Sequence, residues 1–141
     1  MFNRNVVATM LADTPSFSKL TRSELRTITA KVERRCIEPG EMVTRQGAFG
    51  SEMLLVMAGR ASVEVSGTCV SAVEPGEVIG EMALLDHGPR SATIIATTPM
   101  ELGVLSIRSF DELMSKSPAI WRVVAVGLAR RLREADRTLH H

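Results

Sequence analysis

The stretch MLLVMAGRASVEVSGTCVSAVEPGE, residues 53–77, decides the fold. It contains three short runs, 53–57, 61–65 and 69–73, interrupted at Gly59 and Gly67. Val63 and Val65 alternate with polar neighbours, the period-two pattern of a half-buried strand. Runs this short, cut by glycine, read as strands joined by tight turns rather than as helix. The stretch closes on Glu74-Pro75-Gly76-Glu77, and the same four letters stand earlier at Glu38-Pro39-Gly40-Glu41. Proline sets its own φ and the glycine after it tolerates positive φ, so each quartet predicts a type II turn.

Further along, 91–96 and 101–105 read as two more strands, separated by Thr97-Thr98-Pro99. About seven short strands at a spacing of roughly 8–12 residues suit an antiparallel sandwich or barrel rather than a parallel α/β sheet. The flanks are helical. An apolar stretch over 5–11 ends at the breaker cluster Asp13-Thr14-Pro15. Thr21 and Glu24 have capping-box spacing, which predicts a helix over 22–30 with Leu25, Ile28 and Val32 at helical intervals. At the other end a helix is expected over 106–115, and Ser117-Pro118 starts another. Trp121, Ala125, Leu128, Leu132, Ala135 and Leu139 then form a heptad stripe, open to packing within the chain or to pairing with a second copy. Gly127 interrupts this helix at a propensity cost of about 1 kcal/mol relative to alanine. The expected class is α+β, mainly β: an antiparallel β-roll or jelly roll with flanking N- and C-terminal helices. We expect one domain over 1–141, with a helical N-terminus 1–31, a roll 32–105 and C-terminal helices 106–139.

With 141 residues the chain can bury one sizeable core. Its 17 basic and 16 acidic side chains leave a formal net charge of +1, so no overall field favours nucleic acid or a membrane surface. Cys36 and Cys69 stand apart, without metal-ligand or disulfide-framework spacing. No apolar run reaches signal-peptide or membrane-span length, and a cytoplasmic location is expected.

The chemistry is concentrated in 77–93. A strand end meets Gly80, a short helical turn follows over 81–85, then the loop Gly88-Pro89, then Arg90 entering a strand. Glycine lets backbone approach a ligand closely. Free amides at the start of a helical turn favour an anion, and an arginine fork matches phosphate oxygens. Glu81 is the wrong charge for phosphate alone, but it suits a ligand that also offers hydroxyl donors, such as a ribose 2′-OH close to a phosphate.

Gly80-Glu81-Met82-Ala83-Leu84, followed after a short gap by Pro89-Arg90-Ser91-Ala92-Thr93, resembles the phosphate-binding cassette of cyclic nucleotide-binding domains. Such domains occur in catabolite activator proteins, protein kinase A regulatory subunits and cyclic nucleotide-gated channels. The resemblance implies that Glu81 binds the ribose hydroxyl and Arg90 the cyclic phosphate. It also implies that the backbone at Gly80, Met82 and Ala83 approaches the sugar–phosphate and that Ser91 adds a phosphate contact. Leu128-Ala129-Arg130-Arg131-Leu132 is similar to the central helix of catabolite activator proteins, where an arginine matching Arg131 lies near the ribose; plain solvation is the alternative. Ala135 and Asp136 stand where that helix carries Thr and Ser toward the adenine, which leaves base choice open. Ser91, where Thr is associated with guanine preference, favours cyclic AMP over cyclic GMP.

The function expected is a regulatory module binding a cyclic nucleotide, coupled to the C-terminal helix, with a homodimer through that helix as one arrangement. Alternatives are a fragment of a catabolite-activator-type transcription regulator without its DNA-binding domain, or a cyclic GMP sensor. His87 is the only histidine before the last two residues, too few for a cupin-like metal site or a Ser/His/Asp set. We therefore expect no catalytic residues, no metal and no cofactor.

Overall fold

The structure, a computed structural model, describes residues 2–81 and 88–139, with the side chains of the last helix described as far as Glu134. Among the described residues the order is α1 (Arg4–Asp13), α2 (Arg22–Thr29), β1 (Glu33–Ile37), β2 (Met42–Thr44), β3 (Glu52–Ala58), β4 (Ala61–Val65), β5 (Thr68–Val73), β6 (Val78–Ile79), β7 (Thr93–Ala96), β8 (Met100–Ser106), α3 (Ile107–Lys116) and α4 (Pro118–Leu139). The chain divides into two compact units, Val32–Arg108 and Met1–Lys31 with Ser109–His141.

The first unit is the β-roll. Its strands form two four-stranded sheets, ordered β1-β8-β3-β6 and β2-β7-β4-β5, and every pairing is antiparallel. Alternation places one phase of each strand in a shared core: Leu54 and Val56 of β3, Met100, Leu102 and Val104 of β8, Ala61 of β4, and Ile94 and Ala96 of β7. Burying each large aliphatic side chain contributes about 1.5–3 kcal/mol relative to exposure. Both Pro-Gly quartets turn as predicted. Glu41 N donates to Glu38 O (3.0 Å) and Glu77 N to Glu74 O (3.2 Å), with Gly40 and Gly76 at φ +86° and +97°. β6 is a strand of two residues, pairing Leu54 with Ile79 and Leu55 with Val78; no sequence periodicity could announce so short a run.

The second unit is helical. The capping box forms in both directions, Glu24 N to Thr21 Oγ1 (3.2 Å) and Thr21 N to Glu24 Oε1 (2.8 Å). Val7, Leu11, Phe17, Ile28, Phe110, Val124 and Leu128 are fully or almost fully buried. The Phe110 ring lies edge-on to both Phe17 (6.5 Å) and Trp121 (6.4 Å). In α4 the buried line is Ile120, Val124, Gly127 and Leu128, not the heptad stripe as a whole. Trp121 and Leu132 of that stripe are 38% and 53% exposed, because at 3.6 residues per turn the stripe runs along one flank of the Ile120–Val124–Leu128 face. Gly127 sits where α4 crosses Pro15 and Ser16. A Cβ there would lie 2.9 Å from Pro15 O and Ser16 Cα.

Candidate functional site

The β-roll joins two backbone segments separated in sequence. Gly50 N donates to Gly88 O (3.3 Å), Arg90 N to Ala48 O (2.8 Å) and Gly47 N to Arg90 O (2.9 Å), with Phe49 and Pro89 bridged between them. Thr44 Oγ1 to Ala92 O (3.0 Å) and Gln46 N to Thr93 Oγ1 (2.9 Å) extend the seam to β7. Arg90 is thus anchored through its main chain on both sides, which fixes where its long side chain begins.

That side chain runs across Gly80. Gly80 has φ +78°, and a Cβ on it would run into Arg90 Nη1 while lying 3.1 Å from Arg90 Cζ and from Glu52 O. Glycine is therefore required twice, for its backbone conformation and for the space the guanidinium takes. Arg90 Nη2 donates to Glu52 O at 2.6 Å. Nη1 is buried and has no hydrogen-bond partner among the described residues. Burial lowers the Arg90 pKa from its ordinary value, an effect partly opposed by the Glu52 carboxylate. A buried cationic donor left unsatisfied is costly, and an anion placed against it removes that cost.

Glu81 follows Gly80 in the chain and is 8% exposed. Ser91 is exposed in the bend between Arg90 and β7. The expected backbone contacts of Met82 and Ala83, and the expected helical turn beyond Glu81, lie outside the described residues. Arg131 is exposed on α4, in the helical unit. Ala135 and Asp136 fall beyond the described side chains of that helix. The structure thus brings Gly80 and Arg90 into direct contact and buries Glu81 beside them.

Two residues of the site had no signal in local spacing. Glu52, at the start of β3, supplies the carbonyl for Arg90, and its carboxylate receives Arg35 of β1 in a two-point ion pair (2.6 and 2.8 Å). Glu52 lies 38 positions from Arg90 and 17 from Arg35, so only folding brings the three together. A groove of about 440 Å³ in the helical unit, between Pro15 and α4, is lined by Lys19, Arg122, Val126 and Arg130 and presents no such orphaned buried donor. Among the described residues no group of three or more His, Cys, Asp or Glu could hold a metal ion. None of the described helices is long and apolar enough to cross a membrane.

An antiparallel two-sheet roll carrying a half-buried arginine, one nitrogen of it buried and unpartnered among the described residues, over a close-approach glycine defines a class of anion-directed ligand-binding module. Residues 34–117 match the family model described as cyclic nucleotide-binding domain, and the chain belongs to that family. It is 34% identical over 127 residues to the cyclic AMP receptor protein of Thermus thermophilus, covering 86% of this chain and 59% of that protein. The N-terminal domain of a transcriptional regulator from Streptomyces coelicolor A3(2) superposes with a TM-score of 0.82 at 26% identity, covering 92% of this chain and 93% of that one. The regulatory domain of Toxoplasma gondii PKA, solved with cAMP, gives a TM-score of 0.70 at 26% identity over 77% of this chain and 43% of that one. The chain spans less than two thirds of the length of the curated relatives it matches first, 59%, 31% and 16% of them.

Proposed function

We propose that this chain senses a 3′,5′-cyclic nucleotide, cyclic AMP in preference to cyclic GMP, and transmits its presence through α4 without catalysis of its own. The observation that carries this is the buried Arg90 Nη1 with no partner among the described residues, seated on Gly80 beside the buried Glu81. In this reading a phosphate oxygen completes the Arg90 fork and Glu81 accepts from the ribose 2′-OH. Gly80, Met82 and Ala83 bring backbone to the sugar–phosphate, Ser91 adds a phosphate contact, and Arg131 approaches the ribose. Relatives named for cyclic AMP, and a neighbour solved with it, support the choice of base. Exposed Trp121 and Leu132, on one face of α4, support a homodimer through that helix, which the sedimentation coefficient of the purified chain would reveal.

Calorimetric titration of native protein and Arg90→Gln with cyclic AMP and cyclic GMP tests the assignment. Removing one partner of a buried charged contact costs about 2–5 kcal/mol. The variant should therefore bind cyclic AMP at least about thirtyfold more weakly. Equal affinity in the two proteins would overturn the reading.

A second reading, the ligand-binding part of a longer transcription regulator, is supported by the 93% coverage of a separately solved N-terminal regulator domain. The mass of the native protein in its source cells separates the two.

A further inference from the structure

Glu52 meets Arg90 with its backbone and turns its carboxylate elsewhere. The carbonyl holds Nη2 of Arg90 at 2.6 Å, while both carboxylate oxygens are taken by Arg35, Nη1 to Oε1 at 2.6 Å and Nη2 to Oε2 at 2.8 Å. The ion pair spans β8, which lies between β1 and β3 in the sheet. Its neighbour on β1, Arg34, takes a different acid, Glu101 of β8, at 2.8 Å.

This arrangement separates two groups with strong reasons to meet. Arg90 carries a buried nitrogen without a partner among the described residues, and Glu52 is the carboxylate whose charge acts on it. A charged donor in such a place is drawn to a nearby carboxylate, which would satisfy it as a phosphate does. We propose that Arg35 is a positioning residue for ligand binding: its two-point hold on Glu52 keeps that carboxylate from closing on Arg90 and leaves Nη1 for the phosphate. The inference rests on Arg90 being the phosphate ligand. Side-chain exposures of 42% for Arg35 and 24% for Glu52 mark an ion pair of small worth to folding.

The test is a double-mutant cycle read as cyclic AMP affinity by calorimetry, with thermal unfolding of each protein recorded alongside. Arg35→Met should weaken binding roughly three- to fivefold, the upper range of one competing, partly screened ion pair. In a Glu52→Gln background, where no anionic competitor exists, the same replacement should change affinity less than about twofold. Arg35→Lys, which retains a cation for Glu52, should recover most of the loss, and Arg35→Gln, which removes the charge, serves as the probe in both backgrounds if the methionine variant does not fold. No effect of Arg35→Met in the native background overturns the proposal, as does an equal loss in both backgrounds, which would mark Arg35 as merely structural. Arg90→Gln is measured in parallel. If it binds normally, the assignment of Arg90 fails and this inference fails with it; if it abolishes binding while Arg35→Met is neutral, this inference alone fails.

Discussion

Gly80 and Arg90 compete for the same volume, and the site exists because one of them has no side chain. With φ at +78° and a guanidinium where a Cβ would sit, Gly80 is constrained by its backbone and by its neighbour together. Gly80→Ala should therefore displace Arg90 as well as strain the main chain. We expect a stability loss of about 1–2 kcal/mol from the left-handed conformation alone. Cyclic AMP affinity should fall by on the order of tenfold or more as the fork is pushed off its carbonyl. Denaturant melts and titration of the one variant give both numbers; unchanged affinity would show that the guanidinium position is not what binds. The glycine was legible from its place before the helical turn. The space it clears was not, because nothing in the sequence says which side chain will lie over it.

Among the elements, α4 shows most plainly how packing overrides propensity. Alanine at Gly127 would gain about 1 kcal/mol of helix propensity. In the fold its Cβ would stand 2.9 Å from Pro15 O and Ser16 Cα and 3.0 Å from Ser16 O, all backbone atoms that yield only by moving the segment. Overpacking of that kind costs about 1–3 kcal/mol. Gly127→Ala should thus be net destabilising by about 1 kcal/mol, measurable as a lower urea midpoint; a rise in midpoint would mean that the crossing relaxes freely. In the same helix the heptad stripe, open to packing within the chain or to pairing with a second copy, coincides only in part with the buried face. Leu128 belongs both to the stripe and to the Ile120–Val124–Leu128 line that packs inward, whereas Leu132 is half-exposed.

For the molecule as a whole, the proposed signal is a coupling between the ligand in the roll and α4. Ligand-to-element couplings amount to about 1–3 kcal/mol, a factor of roughly 5–150 in an equilibrium. Saturating cyclic AMP should slow amide hydrogen exchange in α4 by a factor in that range, with Arg90→Gln removing the effect. Unchanged exchange in α4, with binding intact, would leave a ligand-binding roll without this output.

The sequence alone determined what depends on neighbours along the chain. Strand alternation, two Pro-Gly turns, a capping box and the spacing of Gly80, Glu81 and Arg90 are local patterns, because side-chain period, turn dihedrals and helix ends are set within a few residues. Tertiary structure decided what depends on distance through space: a two-residue β6 that exists only beside β3, a buried face of α4 chosen by Pro15 and Ser16, and the Glu52 carbonyl under Arg90. Arg35 belongs to the second group. Its meeting with Glu52 across an intervening strand follows from sheet order, which pairs residues far apart in sequence and leaves no periodic trace.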